Sequence, residues 1–340
     1  MCPRPDPPVP PAADDPLDRY RDVRVLVTGA SGFIGQWVWR LLADARADVW
    51  VAGRNVAALE RVADAQAIAG QFLEADLAVP GTCASLHARV RPSITFHLAG
   101  YGISRGEQDA AMAHRINAEL PEEMALAALG VAIDDGWGAM RLVNVGSVFE
   151  YGSMQGPITE DRVATPATLF GRSKLEGTRR LERRAATEGF PALTARVCAA
   201  YGPGERPHRL LPSLLRAART GECLPLTAGE QERDFVFVRD VAEALLRLGR
   251  LRPAPLGVVN LGTGRTCSVR AFVEAAIDVL GLDPGQLRFG ALPYREDEVW
   301  QDRVDVSRSQ CLLDWLPPTS VPAGIRRTRS LAPTVNAGFA

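Results

Sequence analysis

Three glycines spaced three apart, Gly29, Gly32 and Gly35 in Val25-Leu-Val-Thr-Gly-Ala-Ser-Gly-Phe-Ile-Gly35, form the first pattern in this chain able to hold a ligand. Bare amides at such a turn, together with the positive end of the helix it opens, suit a pyrophosphate. The spacing is Gly-x-x-Gly-x-x-Gly rather than the commonest dinucleotide fingerprint, and glycines also mark any strand-to-helix turn, so the rest of the chain must agree with it. About 20 residues on, where an acidic side chain would hold an adenine ribose and favour NAD, stands Ala52-Gly53-Arg54-Asn55. A carboxylate is missing and a guanidinium is present, which favours NADP(H) over NAD(H); the other reading of Arg54 is a solvated loop residue. Asp76 could bond an adenine amino group or cap a turn. His97, alone on an apolar strand, is read as a packed core residue rather than a ligand or base.

These residues need a frame to hold them. Apolar runs predict strands over 25–27, 48–52, 72–75, 93–98, 142–145 and 193–197, with helices over 37–44, 117–129 and 170–188 between them. Strand and helix alternate, and polar residues gather where strands end, with Ser147 placed just beyond the fifth. The fold class is α/β, a doubly wound parallel sheet that takes its ligands outside the carboxyl ends of its strands. Pro203-Gly204-Glu-Arg-Pro207 breaks the alternation and starts a second lobe. Further strands are expected over 235–238 and 258–261. Asp240-Val-Ala-Glu243 reads as a capping box opening a helix to 248, and Ser268 as the cap of a helix that Gly281 ends. The expected organisation is a disordered Pro-rich tail over 1–21, a nucleotide-binding domain over 22–200 with returning segments at 234–262, a smaller interleaved C-terminal substrate lobe over 201–233 and 263–330, and a tail over 331–340.

The 340 residues are long enough for one large domain or two coupled ones, and 46% apolar with 23% charged is ordinary for a globular protein. A net charge of −1 gives no pull toward nucleic acid or an anionic membrane. No apolar run reaches the roughly 20 residues that span a bilayer. The six cysteines are scattered without a Cys-x-x-Cys pair, which speaks against a zinc site or a disulfide framework and fits a reducing cytoplasm. No metal site is expected. The basic residues of the 170–188 segment read as a solvated or subunit-facing surface.

Taken in order, the motifs resemble the extended short-chain dehydrogenases/reductases, in particular the NAD(P)-dependent sugar-nucleotide epimerase/dehydratase family. The resemblance spans roughly 24–327. It runs through Thr28-Gly-Ala-Ser-Gly-Phe-Ile-Gly35, Asp76-Leu77, His97-Leu-Ala-Gly100, Asn117, Gly146-Ser147 with Tyr151-Gly152, and Gly171-Arg-Ser-Lys174. It continues with Arg196 ahead of Tyr201-Gly-Pro-Gly204, then Arg233-Asp-Phe-Val-Phe-Val-Arg-Asp240, Asn260-Leu-Gly-Thr-Gly264 and Leu313-Asp-Trp-Leu-Pro317. It implies a Rossmann sheet and a cofactor site made of Gly29, Ser31, Gly32, Phe33, Ile34, Gly35, Arg54, Asp76, Leu77, Leu98, Ala99, Gly100 and Lys174. It also implies a homodimer joined through the 117–129 and 170–188 helices.

In such enzymes a Ser or Thr holds the reacting oxygen, a Tyr exchanges its proton, and a Lys four residues later lowers the phenol pKa and bonds the nicotinamide ribose. Ser147 and Lys174 match. The tyrosine does not, because Phe170 stands four residues before Lys174. A phenyl ring fills the volume but has no proton to give, and acid–base help is worth roughly 10²–10⁴-fold. Lys174 itself, Tyr101, Tyr151 or a water could substitute, and Tyr101 is the first to test. Val148-Phe149 replaces the Asp-Glu of the 4,6-dehydratases, with Glu150 one place on and free to point the other way. Ala199 replaces an Asn common in the family. Arg233 is expected at a substrate phosphate, with a structural ion pair as the other reading, and Tyr201 at the substrate.

The reading that follows is an NADP(H)-dependent epimerase or ketoreductase acting on a nucleotide-activated deoxysugar or related natural-product intermediate, with a nonstandard proton donor. The alternatives are a dehydratase, lyase or isomerase with little net redox, and a redox-inactive cofactor-binding or partner protein.

Overall fold

The structure, a computed structural model, describes residues 17–103, 106–133, 136–254 and 256–335; the outer parts of both expected tails, 1–16 and 336–340, lie outside the described residues. Strands β1 (Arg24–Thr28), β2 (Asp48–Gly53), β3 (Gln71–Glu74), β4 (Ile94–His97), β5 (Leu142–Ser147) and β6 (Ala192–Val197) are joined by Gly257–Leu261 in one sheet. Its order is Gly257–Leu261, β6, β5, β4, β1, β2, β3, and every neighbouring pair is parallel. The order reverses between β1 and β4, and the crevice at that reversal is where a doubly wound sheet takes its ligand.

Helices cover both faces, so β5 and β6 are buried along their whole length and read as continuous runs rather than alternating ones. On one face, α1 (Gly35–Asp44) and the helix Val238–Gly249 pack against Val25, Val27, Phe96 and Val143. On the other, Leu86 from α3 (Thr82–Val90), Met124 from α5 (Leu120–Leu129) and Leu181 from α6 (Leu169–Glu188) meet Leu26 and Leu142. Between β2 and β3 runs α2 (Val56–Gln66), capped by Asn55. A separate core around Tyr201, Leu214, Phe237, Phe272 and Ile325 builds the second lobe from the helices Leu210–Thr220, Val269–Leu280 and Val321–Val335. Among the described residues no helix is long and apolar enough to cross a membrane.

Several expectations change. The first tail ends sooner than the sequence suggested, because Tyr20 is fully buried, donates to the Leu246 carbonyl at 2.7 Å and packs on Trp137. Burying a ring of that size is worth about 1.5–3 kcal/mol, enough to fold the segment onto the sheet. Residues 331–335 are helical, completing Val321–Val335. Asp240 does not cap a helix. That helix already starts at Val238, and the Asp240 carboxylate instead accepts the Thr319 amide (2.8 Å) and hydroxyl (3.0 Å), while Glu243 pairs with Arg247 at 2.8 Å. Ser268 and Gly281 do bound Val269–Leu280.

The 117–129 helix has a longer lead-in than periodicity predicts. Asp109 caps α4 (Ala110–Ala113), and a π-helical turn, His114–Glu119, follows before α5. A wide turn of this kind is uncommon and concentrates at functional sites. Gly177 of α6 packs directly on it, and any Cβ there would collide with the Asn117 carbonyl.

Candidate active site

The glycine turn is shaped by backbone contact. Gly29 sits at φ +72°, and a Cβ on it would lie 2.6 Å from the Ala99 amide nitrogen. A Cβ on Gly35 would collide with the Gly29 carbonyl, so both positions admit only hydrogen. Helix α1 begins there with no side-chain cap; Gln36, Trp37 and Val38 already donate to the Gly32 and Ile34 carbonyls, so the amides that could meet an anion are those of the turn itself, up to Gly35. Leu98 donates to the Thr28 carbonyl at 3.1 Å, so the turns after β1 and β4 close on each other. Ser31, Phe33, Ile34, Leu98 and Ala99 are half-buried along this edge, and Gly32 and Gly100 are exposed. The cradle fits a dinucleotide.

Arg54 is exposed at the end of β2, with no hydrogen bond or ion pair among the described residues. Asp76, exposed after β3, caps its turn by accepting the Ala78 amide at 3.0 Å, and Leu77 beside it is buried.

Ser147 closes β5 rather than lying beyond it, and its side chain caps a short 3₁₀ turn, Val148–Glu150. Its Oγ accepts the Phe149 amide at 3.2 Å, so its own proton remains available. Helix α6 sits tightly on this turn because Gly171 has no side chain to clash with the Phe149 carbonyl. That contact sets Phe170 against Phe149 and Lys174 against β5 at the Val145 carbonyl, two residues before Ser147. Phe170 meets Phe149 edge-on, with ring centroids 6.4 Å apart.

Lys174 is 7% exposed and donates to the Val145 carbonyl at 3.0 Å. Burial pushes its ammonium down to about 8, against the opposing pull of the Glu150 carboxylate. It is also the only lysine in the chain, where the other 38 cationic side chains are arginine. Arginine holds its proton at any physiological pH and lysine need not, so position 174 alone among the cations can exchange one.

Asn117 holds the neighbourhood together, a role sequence reasoning did not assign. Its side chain donates to the Tyr101 carbonyl (2.7 Å) and to Ser173 Oγ (2.9 Å) and accepts the Tyr101 amide (3.0 Å). The available signal was its place among the ordered motifs; fully buried, such a side chain must find partners.

Both alternative tyrosines engage their hydroxyls with other partners. Tyr101 turns its hydroxyl to the Asp109 amide, from which it accepts at 3.3 Å. Tyr151 is fully buried, donates to Asn260 at 2.7 Å, and is pushed up to about 12 by that burial. Glu150 does point the other way. Its carboxylate lies beneath the site and accepts from Ser147 N (2.8 Å), Thr178 Oγ1 (2.9 Å) and Arg196 Nε (2.8 Å).

The structure surrounds both expected substrate residues with protein partners. Tyr201 is not in the cleft: it is 2% exposed, wedged among Phe235, Phe237 and Phe272 in the second core, where its bulk is what packing requires. Arg233 is engaged by Glu298 at 2.7 Å and by the Glu232 carbonyl, with its guanidinium 5.9 Å from the Phe149 ring. The Glu298 contact is the structural ion pair that was the other reading of Arg233. His97 is a core residue as expected, 1% exposed and hydrogen-bonded to Thr28 Oγ1 at 2.7 Å.

Comparisons with known proteins meet this geometry. The profile of the Epimerase family, described as the NAD dependent epimerase/dehydratase family, matches residues 25–262. The UDP-glucose 4-epimerase of Mycolicibacterium smegmatis is 30% identical over 321 residues, covering 90% of this chain and 97% of that protein. The dTDP-6-deoxy-L-talose 4-dehydrogenase (NAD(P)(+)) of Kitasatospora kifunensis is 30% identical over 321 residues, covering 89% and 93%. Among solved structures, MoeE5 in complex with UDP-glucose and NAD is 27% identical with a TM-score of 0.75, covering 90% of this chain and 97% of that one.

Proposed function

The chain belongs to the NAD dependent epimerase/dehydratase family, and from that premise we propose that it is an NADP(H)-dependent epimerase or ketoreductase of a nucleotide-activated sugar in which Lys174, not a tyrosine, carries the proton. The observation that carries this reading is the state of Lys174: the sole lysine, buried against the Val145 carbonyl of β5 with its ammonium brought to about 8, while the Tyr101 and Tyr151 hydroxyls have other partners. A general acid works best when its pKa lies near the operating pH.

A bound nicotinamide supplies the hydride chemistry. Ser147 donates its free proton as a hydrogen bond to the sugar oxygen and fixes its position. Lys174 as ammonium gives a proton to that oxygen in the reducing direction and as amine removes one in the oxidising direction. Phe170 and Phe149 wall the site with apolar surface and keep the lysine desolvated. The exposed Arg54 and the missing carboxylate at that position support the 2′-phosphate of NADP(H). A relative that bears NAD(P)(+) in its name, and acts on a 6-deoxysugar nucleotide, supports both the cofactor and the deoxysugar class. The missing Asp-Glu pair at Val148-Phe149 speaks against 4,6-dehydration.

The test is turnover of a 4-keto sugar nucleotide by the native chain. NADPH oxidation above background, faster than with NADH, is expected, and a Phe170→Tyr variant should differ from native by less than about tenfold. Silence from the native chain with activity restored by Phe170→Tyr would overturn the proposal and leave a redox-inactive cofactor-binding protein.

The proposal includes a homodimer. Leu126 and Leu129 are 44% and 40% exposed on the outer face of α5, beside Glu119, Glu122 and Glu123, while α6 presents Arg172, Arg179 and Arg183. An apolar strip with acidic and basic flanks on neighbouring helices suits pairing about a two-fold axis. Sedimentation at micromolar concentration should show a dimer that Leu126→Arg splits; native monomer alone would remove this part.

A further inference from the structure

A row of polar side chains crosses the sheet beneath α6, where apolar packing would be expected. Thr28, His97, Asn144 and Thr194 occupy registered positions on β1, β4, β5 and β6, all of them 2% exposed or less. The outer links are made: Thr28 Oγ1 and His97 Nδ1 are 2.7 Å apart, and Asn144 Nδ2 donates to Thr194 Oγ1 at 3.1 Å. The inner atoms, His97 Nε2 and Asn144 Oδ1, are both buried with no hydrogen-bond partner among the described residues. Leaving one such group unsatisfied costs about 1–3 kcal/mol, so two on neighbouring strands call for a common explanation.

Their chemistry is complementary. If the Thr28 hydroxyl donates to Nδ1, the neutral imidazole carries its proton on Nε2, a donor opposite the Asn144 acceptor. Strands lie about 4.8 Å apart, too far for a direct bond between atoms held straight across but right for a bridging water. Lys174 adjoins the same place. It donates to Val145, the residue after Asn144, and its Nζ would lie 3.3 Å from a Cβ on Gly100, three residues after His97.

We propose that His97 Nε2 and Asn144 Oδ1 hold one internal water beneath Lys174, and that this His97–water–Asn144 unit is a positioning element for the lysine. The water accepts from Nε2–H and from the ammonium and donates to Asn144 Oδ1, which gives the buried charge a polar partner that the apolar wall of Phe149 and Phe170 does not. Burial holds His97 down to about 3, helped by the nearby charge of Lys174 and then His87, so the imidazole stays neutral while the lysine titrates. The charged group acting on Lys174 itself is Glu150, from the turn after β5.

The sole lysine makes the test direct, because protein grown with ¹³C-labelled lysine gives one side-chain signal whose pH titration reports Lys174. This readout needs no activity, so it stands or falls separately from the proposed reaction. His97→Phe should lower the titration midpoint by about one unit, as lost solvation disfavours the ammonium, and His97→Gln, which keeps an N–H donor, should stay within a few tenths. An unchanged midpoint in folded His97→Phe, or an equal fall in both variants, overturns the proposal. If His97→Phe does not fold, a high-resolution crystal structure of the native chain decides. A water bonded to both atoms supports the unit, and a direct His97–Asn144 bond overturns it.

Discussion

Lys174→Met is expected to lower turnover of the proposed reaction by about 10²–10⁴-fold while leaving a folded chain. Methionine keeps the length and apolar stem of the side chain, so packing against Gly100 and the first turns of α6 survives. What disappears is the chain's only ammonium side chain, brought to about 8 by burial. The native pH profile should carry the same signature. Lys174 is brought below its ordinary value to about 8, so it is charged below that pH and neutral above it. Reduction, which consumes the ammonium's proton, should fall as pH rises through about 8, and oxidation, which needs the free amine, should rise over the same interval. Steady-state rates in both directions between pH 6 and 10 check this. A Lys174→Met variant within tenfold of native, or a profile flat through that window, would show that another group moves the proton.

Gly35→Ala should raise the dinucleotide Kd at least about 100-fold, equivalent to about 2.7 kcal/mol. The added methyl would collide with the Gly29 carbonyl and lie 2.9 Å from the Ala30 Cα, all backbone atoms that can yield only if the turn opens. Opening the turn removes its amides from the phosphate and loosens the seam with Ala99, so thermal stability should fall even without cofactor. Gly32→Ala provides the contrast. Its Cβ would meet only the Gly29 carbonyl, at 3.1 Å, so stability should hardly move while binding weakens. Calorimetric titration with NADPH and thermal melts separate the two. Native-like binding by Gly35→Ala would mean that the cofactor does not sit on this turn.

Both expectations begin from residues legible in the chain before any coordinates. The glycine turn was readable because Gly29 and Gly35 answer a local demand, a backbone path too close for any side chain. The strands were readable because a two-sided buried sheet requires apolar runs, and Ser268 and Gly281 because caps act within a few residues. Phe170 was readable as the departure from a motif. What stayed hidden was whichever property depended on a distant partner. The role of Asp240 depends on Thr319, 79 residues on, and that of Arg233 on Glu298, 65 residues on. Tyr20 looked like part of a tail because nothing near it in sequence shows that Leu246 and Trp137 are waiting to cover it.

The sequence by itself determined the α/β frame and the glycine cradle, since each follows from residue type at short spacing, and it sets Phe170 where the family motif has a tyrosine. Only the tertiary structure decided the surroundings of the other candidate groups. It set the Tyr101 hydroxyl against the Asp109 amide, sealed Tyr151 against Asn260, sent Glu150 to Arg196, and left Lys174 desolvated against the Val145 carbonyl. The physical reason is that a side chain's charge state and direction are set by its surroundings. For these residues the surroundings come from strands and helices that meet only when the sheet closes.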